Sequence, residues 1–175
     1  MPRRLDPEHL GDHLDRLYRA AWALCGNREE AEDLVQETYA RVLSKPRILR
    51  NDDDLGYLLR VLRNTFVSAR RTSARRPYTD RAIEDFEPAD PRSGTRPDEM
   101  AEAREVFAAI GELPDDFRDA LVAVDVVGLS YREAGRLLGA KEATITTRLH
   151  RARNQVAQRL TQAPVGKETG TGGVV

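Results

Sequence analysis

Apolar residues recur every three or four positions along most of this chain, which is the spacing of one face of an α-helix. In the first part of the chain the pattern predicts three helices. The first is capped by Asp6 and ends at Gly26, the second is capped by Asn27, and the third by Asp53 or Asp54. The residues predicted to face inward are Leu14, Leu17, Tyr18, Ala21, Leu24, Cys25, Ala31, Leu34, Val35, Thr38, Val42, Leu55, Leu58, Leu59, Leu62 and Phe66.

Helical spacing stops after Arg76 and resumes shortly after Pro97. The stretch between them carries four prolines, a Ser-Gly pair and many acids, a composition typical of a linker. Beyond it, Ser130-Tyr-Arg-Glu133 has the pattern of a capping box, and Gly139 is a stop signal before the last helix. The sequence therefore predicts an all-α fold of two small helical domains, 1–76 and 101–162, joined by a flexible linker, 77–100, and followed by a disordered tail, 163–175.

The net charge of −1 conceals segments of opposite sign. Six arginines and no acid lie between Arg60 and Arg76, whereas acids outnumber bases nine to four between Asp80 and Glu105. The last helix, from Ala143 to Gln162, carries four arginines, one histidine and no acid. Because salt confines each field to a Debye length of about 8 to 10 Å, two such basic surfaces can each bind a polyanion despite the neutral total.

A short capped helix, a tight joint and a basic second helix are typical of a helix-turn-helix, whose second helix enters the major groove of DNA. At 100° per residue, Thr147, Arg151 and Asn154 point away from the apolar stripe of Ile145, Leu149, Ala152, Val156 and Leu160. Arginine can donate two hydrogen bonds to guanine or phosphate. The alternative is a solvated surface helix, which the capping box and the missing acids disfavour.

The third helix carries a second basic face, on which Arg60, Asn64, Val67 and Arg71 lie opposite its buried stripe. A polar loop precedes this helix, and the combination suits a nucleic-acid strand whose bases are unstacked and held. On the residues alone this signal is weak, since a basic helix end is more often a solvated face.

Several functional classes lack their signatures in this sequence. One cysteine and three scattered histidines do not have the spacing of a metal site, and no phosphate-binding glycine loop or nucleophile elbow is present. We expect no catalytic residues, no metal and no cofactor, and we expect Cys25 to be a buried thiol. No apolar run approaches the roughly 18 residues that span a bilayer, so we expect no membrane insertion and a cytoplasmic location.

Three segments together resemble the extracytoplasmic-function (ECF) group of bacterial sigma factors, the smallest members of the sigma-70 superfamily. "GNREEAEDLVQETYARVL" is similar to the stretch that binds core RNA polymerase, and "LLRVLRNTFVSARR" to the promoter-melting helix. "LSYREAGRLLGAKEATITTRLHRAR" is similar to the helix-turn-helix that recognises the upstream promoter element. The three segments follow one another in the order and at the spacing found in the family. This combination is more specific evidence for the family than any one motif alone.

The resemblance implies a promoter-specificity subunit, not an enzyme, that binds core RNA polymerase and promoter DNA, both duplex and single-stranded, and is held by an anti-sigma factor. It assigns core-polymerase binding to Asp33, Gln36 and Glu37, which by composition alone would be a solvated acidic face. It assigns binding of the minus-ten promoter element to Asn51, Asp52, Arg60, Asn64, Arg70 and Arg71. It assigns binding of the minus-thirty-five element to Thr146, Thr147, Arg148 and Arg151.

The sequence departs from the family pattern at several positions. Tyr57 stands where tryptophan is usual, Ser68 replaces a frequent aspartate, and Thr146 replaces a frequent lysine or arginine. Gly135 stands where alanine is usual in the helix-turn-helix, at an expected cost of about 0.5 to 1 kcal/mol. The alternatives are a dimeric helix-turn-helix repressor or activator and, more remotely, a small nuclease, which would need clustered metal ligands.

Overall fold

Helices make up most of the described chain. The structure, a computed structural model, describes residues 3–44, 48–49, 53–74 and 97–162. The α-helices in these ranges are α1 (Leu14–Cys25), α2 (Arg28–Leu43), α3 (Asp54–Ala74), α4 (Pro97–Gly111), α5 (Asp115–Leu121), α6 (Tyr131–Leu138) and α7 (Glu142–Gln162). They are accompanied by a 3-10 helix (Pro7–His13), a π-helical turn (Val122–Val126) and two short paired strands, β1 (Arg3–Arg4) and β2 (Ile48–Leu49).

Side-chain caps fix where the helices of the first domain begin. Asp6 Oδ1 accepts a hydrogen bond from Glu8 N at 3.0 Å, but the segment it opens is the 3-10 helix, which becomes α-helical only at Leu14. Asn27 caps α2, as predicted, through a 2.9 Å bond from Glu30 N. Of the two candidate caps of α3, Asp53 has this role, because its Oδ1 accepts from the N–H three residues later at 2.8 Å.

The first domain packs α1, α2 and α3 around a core of leucines. Leu17, Leu58 and Leu62 are fully buried, as the spacing predicted. Leu14, also predicted to face inward, is 46% exposed, and the buried residue at this end of the bundle is Leu10 of the 3-10 helix. All the inward-facing residues predicted for α3 are buried, so its opposite face is available for other contacts.

A helix begins within the last residues of the predicted linker. Helix α4 starts at Pro97, inside the segment 77–100 assigned to the linker, while residues 77–96 and the predicted tail 163–175 lie outside the described residues. Leu113 is buried where α4 gives way to α5, and Ile145, Leu149 and Ala152 of α7 are buried, as their stripe predicted. The division into domains at residues 76 and 101 stays a prediction.

The helix-turn-helix of α6 and α7 has the local geometry that its sequence predicts. Ser130 Oγ accepts from Glu133 N at 3.3 Å, and Ser130 N donates to Glu133 Oε2 at 2.8 Å, which completes the capping box. Gly139 ends α6 in the left-handed region, with φ of 65°, where glycine has no steric penalty. The capping box therefore sets where α6 begins, and Gly139 sets where α6 ends and the turn to α7 starts.

The two domains contact each other in this structure. Helix α1 packs against α4 and the π-helical turn, and α3 packs against α6. Trp22 of α1 stacks on Phe107 of α4, with ring centroids 6.1 Å apart and planes at 30°. Buried side chains of both domains belong to one apolar cluster. The sequence pattern shows which face of each helix is apolar, but it did not predict that these two domains share a boundary.

Candidate nucleic-acid interface

The outward face of α7 carries the residues assigned to duplex DNA. Thr146, Thr147 and Arg151 are all exposed, and Ile145 beside them is fully buried. Each threonine hydroxyl donates to the backbone carbonyl four residues earlier, at 3.0 Å for Thr146 and 3.1 Å for Thr147. Because a hydroxyl oxygen also accepts, both can still receive a hydrogen bond from a base.

The arginines of α7 differ in what they already bind. Arg148 Nη2 lies 2.6 Å from Asp116 Oδ2. Arg153 forms two bonds to Asp125, at 2.9 and 2.7 Å, and this pairing raises the pKa of Arg153. Arg159 Nε lies 3.4 Å from Glu112 Oε2, whereas Arg151 makes no ion pair with any described residue. Arg151 is thus the arginine of α7 that can bind a phosphate or base without breaking an existing ion pair.

The outward face of α3 carries the residues assigned to the melted strand. Arg60, Asn64, Arg70 and Arg71 are exposed, as predicted for a nucleic-acid face, whereas Asn51 and Asp52 lie outside the described residues. Arg70 places its guanidinium 5.6 Å from the centroid of the Phe66 ring. The four described residues lie on one helix, so the structure brings them together on a single basic surface.

One edge of this basic surface contacts the second domain. Arg63 Nε donates to Asp119 Oδ2 at 2.6 Å, and Arg70 Nη1 lies 3.4 Å from Asp115 Oδ1. Arg60 Nη2 lies 3.5 Å from the carbonyl oxygen of Arg136, at the limit of a hydrogen bond. Helix α3 therefore presents cations both to solvent and to α5 and α6.

Charged groups are buried where α3 meets α5. Asp119 is 7% exposed, and its burial raises the pKa of the carboxyl above the ordinary value, although the hydrogen bond from Arg63 lowers it. Arg118 is 3% exposed, donates to the Gly111 carbonyl oxygen at 3.3 Å and to Asp115, and lies over the Phe66 ring. An ion pair at such a site is sensitive to the loss of either partner, because the other charge stays buried.

Helix α2 presents the face assigned to core polymerase. Asp33, Gln36 and Glu37 are all exposed. Glu37 Oε1 accepts from Arg41 Nε at 2.6 Å along the same helix, in a pair whose side chains are both about half exposed. Such a pair contributes little to stability, about 0.3 to 0.5 kcal/mol, so it can rearrange on binding a partner.

Sequence reasoning did not find the contact between Arg63 and Asp119 or the buried position of Arg118. The available signal was the charged dipeptide Arg118-Asp119, which interrupts the apolar residues Phe117, Ala120 and Leu121 of α5. Charges inside an apolar stripe are expected to be paired. The partner could not be identified from the sequence, because Arg63 is 56 positions away, on the other domain.

Membrane-spanning helices and metal-binding clusters are both absent from the described ranges. None of the helices there has both the length and the hydropathy that a bilayer-spanning segment requires. Nor do three or more His, Cys, Asp or Glu side chains come together in that part of the chain in a group that could hold a metal ion.

Family models match both domains. Residues 10–76 match sigma-70 region 2, and residues 103–156 match sigma-70 region 4. The first match contains α1, α2 and α3, and the second contains α6 and the greater part of α7. These are the two parts of the chain to which the candidate interfaces belong.

Curated relatives match over most of the chain. ECF RNA polymerase sigma factor SigE of Mycolicibacterium smegmatis is 35% identical over 153 residues, which is 85% of this chain and 59% of that protein. EcfG of Rhodopseudomonas palustris, also an ECF RNA polymerase sigma factor, is 34% identical over 141 residues, 78% of this chain and 75% of that protein. This chain thus spans less than two thirds of SigE but three quarters of EcfG.

Solved structures share the fold. The sigma factor RpoE from Bartonella quintana, in complex with the anti-sigma factor NepR, aligns with a TM-score of 0.67 at 25% identity, over 89% of this chain and 96% of that one. CnrH, in complex with the cytosolic domain of CnrY, aligns with a TM-score of 0.60 at 21% identity, over 88% of this chain and 86% of that one. With both regions matched in order and a relative aligned over three quarters of its length, this chain belongs to the ECF group of RNA polymerase sigma factors.

Proposed function

We propose that this protein directs core RNA polymerase to specific promoters and initiates transcription there. The observation that carries the proposal is the presence, in one chain and in family order, of both sigma-70 regions, with exposed candidate residues on α2, α3 and α7. A sigma factor needs a surface for polymerase and two surfaces for DNA. Helices α2, α3 and α7 supply one each.

In this proposal the polymerase contact is made by Asp33, Gln36 and Glu37 on α2. Their side chains are exposed and include two carboxylates, which suits a basic partner surface. Arg41 would have to share or release Glu37 when the partner binds. Charge on this face therefore favours association with polymerase more than it stabilises the fold.

Promoter recognition is divided between the domains. Thr146, Thr147, Arg148 and Arg151 contact the duplex minus-thirty-five element, with Arg148 exchanging Asp116 for DNA. The residues proposed for the minus-ten element, whose bases are unstacked on melting, are Asn51, Asp52, Arg60, Asn64, Arg70 and Arg71. Phosphate contacts by the arginines position the strand, and side chains that reach base edges supply specificity.

The chemistry of RNA synthesis belongs to the polymerase in this account, and the chain acts as a subunit without catalytic residues or a cofactor. Its place of action is that of the polymerase, the cytoplasm. RpoE was solved in complex with the anti-sigma factor NepR, and CnrH in complex with the cytosolic domain of CnrY. By analogy, we also propose an anti-sigma partner for this chain, which would cover its nucleic-acid surfaces.

A double dissociation tests the proposal. Reversing both charges on α2, Asp33→Lys with Glu37→Lys, should weaken binding to core polymerase and leave the fold intact, since exposed substitutions change stability by no more than about 0.5 kcal/mol. Arg151→Ala should leave core binding unchanged and reduce promoter recognition by about 1 to 3 kcal/mol. Arg153→Ala is the matched control on the same helix, because that side chain is engaged with Asp125.

The same variants distinguish a sigma factor from a dimeric repressor. A repressor would bind a duplex operator without polymerase, would lose that binding with Arg151→Ala, and would be indifferent to the charges on α2. Titration of core polymerase against each variant, followed by transcription from a mapped promoter, gives both results. Normal core binding by the variant with both charges reversed would favour the repressor.

A further inference from the structure

Arg148, one of the residues proposed to contact the minus-thirty-five element, is held by a helix outside the helix-turn-helix. Its Nη2 lies 2.6 Å from Oδ2 of Asp116, which is in the first turn of α5 and 32 positions away in the chain. The Arg148 side chain is only 25% exposed, whereas that of Asp116 is 62% exposed. The position of the Arg148 guanidinium on α7 is therefore set by a second element of the domain.

Both partners of this ion pair lie on packed helices. Ile145 and Leu149, on either side of Arg148 in the chain, are buried, and α7 packs against α5. The first turn of α5 is fixed by two backbone N–H groups that donate to the Pro114 carbonyl oxygen, each at 2.9 Å. Side chains on packed helices are placed more precisely than side chains on loops. The backbone therefore fixes the position of both Arg148 and its partner.

The ion pair leaves most of the Arg148 guanidinium available. Arginine has five N–H donors, and among the described residues Asp116 is the hydrogen-bond partner of Arg148, through Nη2 alone. Bidentate recognition of guanine requires two N–H donors that reach its O6 and N7 atoms. With one N–H of Nη2 engaged, the remaining donors still include two parallel N–H groups. The exchange of Asp116 for DNA can therefore be partial, with Arg148 binding both at once.

A restrained Arg148 is suited to contact with a base edge. A free arginine side chain has many rotamers, and fixing one of them on binding costs conformational entropy. The ion pair with Asp116 restrains the side chain before DNA binds, so that binding carries less of this cost. Arg151 has no ion-pair restraint from any described residue. Because a base edge presents its acceptors at fixed positions, Arg148 is the better matched of the two arginines to read it.

A second ion pair of α7 provides a comparison. Arg153 binds Asp125 through both Nε and Nη2, at 2.9 and 2.7 Å. Asp125 lies in the π-helical turn, and its side chain is 33% exposed. Arg153 is not among the residues proposed to contact DNA. Asp125 therefore carries the same charge as Asp116 and also pairs with an arginine of α7, but without a link to the proposed DNA contacts.

We propose that Asp116 is a positioning residue for promoter recognition. It holds the Arg148 guanidinium so that the remaining donors read a base edge of the minus-thirty-five element in the major groove. Guanine has the matching chemistry, because its O6 and N7 atoms both accept hydrogen bonds. Asp116 itself does not contact DNA in this arrangement. The inference rests on the proposed function, because it requires α7 to lie in the groove.

Asp116→Asn tests this inference, because asparagine keeps the size of the side chain and removes its charge. Each variant is combined with core polymerase, and dissociation constants are measured at one salt concentration. The ligands are a mapped promoter duplex and duplexes in which each minus-thirty-five base pair is changed in turn. Asp116→Asn should lose about 10-fold of the preference at one base pair and keep the preferences at the others. Asp116→Glu, which keeps the carboxylate, should retain most of that preference.

Two further variants separate positioning from a general effect of charge or stability. Asp125→Asn is the matched control, since it removes the same charge from the pair with Arg153 and should leave every base preference unchanged. In an Arg148→Ala background, Asp116→Asn should have no further effect, because its partner is absent. Core binding and thermal unfolding should be nearly unchanged in Asp116→Asn, since an ion pair with an exposed partner contributes little to stability.

The outcomes are distinguishable. Unchanged base preferences in Asp116→Asn, or tighter binding of all duplexes alike, would overturn the inference, because the second result would show that Arg148 releases Asp116 completely. A loss of preference that persists in the Arg148→Ala background would overturn it as well. If the unsubstituted chain with core polymerase has no base preference in this element, the proposed function is contradicted, and the inference with it.

Discussion

A Cβ atom built on Gly135 would lie 2.6 Å from the carbonyl oxygen of Ala140. Gly135 is in α6, and Ala140 is in the turn that leads to α7, where Ala140 N also donates to the Gly135 carbonyl oxygen at 2.9 Å. The sequence suggested that this glycine is a cost, because glycine is a weaker helix former than alanine. The structure shows that it lets the backbone of the turn approach α6 closely.

We therefore predict that Gly135→Ala destabilises the second domain, despite a gain of about 0.5 to 1 kcal/mol in helix propensity. The clash is with backbone, which cannot rotate away, so the expected net loss is about 1 to 3 kcal/mol by thermal or urea unfolding. Gly111→Ala is the control, because a Cβ atom added there would have nothing within 4 Å of it among the described residues. Equal stabilisation by both substitutions would show that the close approach is not required.

A second prediction concerns the capping box. Hydrogen bonds from the Ser130 side chain and backbone hold the pKa of Glu133 below its ordinary value of 4.5. When folding lowers the pKa of a carboxyl, the ionised group stabilises the folded state at any pH above its unfolded pKa. This contribution to the free energy of unfolding is lost as the pH falls through the pKa of the folded state. The stability of the second domain should decline below about pH 4.5 for this reason.

Glu133→Gln separates this effect from general acid denaturation. Glutamine also completes a capping box but does not titrate, so the variant should keep the helix and lose part of the pH dependence. Thermal unfolding between pH 3 and pH 6 measures the difference, with Glu105→Gln, an exposed glutamate outside the cap, as the control. Identical pH profiles for the two variants would contradict this role of Glu133.

A third prediction concerns the single thiol, Cys25, which was expected to be buried and is half-buried in the structure. Burial raises the pKa of Cys25 to about 12, and the nearby Glu30 acts in the same direction. Because only the thiolate reacts, alkylation at pH 8 should be about 1,000-fold slower in the folded protein than after denaturation. The rate is measured by mass spectrometry with iodoacetamide. Labelling of the folded protein at the denatured rate would contradict a raised pKa for this half-buried thiol.

Local features of this fold could be predicted from the sequence because each depends on residues close together in the chain. The capping box of Ser130 and Glu133, the cap at Asn27 and the left-handed Gly139 are of this kind. The buried stripes of α3 and α7 follow from helical spacing in the same way. Membership of the ECF group could also be predicted, since the motifs that indicate it are continuous segments of the sequence.

Contacts between distant segments could not be predicted in this way. Nothing in the spacing around Arg63 indicates Asp119 as its partner, and Trp22 and Phe107 are each only apolar residues on a helix face. The short contact at Gly135 depends on the path of the turn in three dimensions. The proposed polymerase and DNA contacts stay predictions, because they rest on surfaces whose partners are other molecules.

The most direct test of the central claim is run-off transcription with core polymerase on a library of genomic promoter fragments. The account predicts discrete transcripts that require both the polymerase and this protein, that are lost with Arg151→Ala and that persist with Arg153→Ala. The contradicting result is a set of transcripts no different from those of core polymerase alone, with the protein instead binding duplex operators by itself.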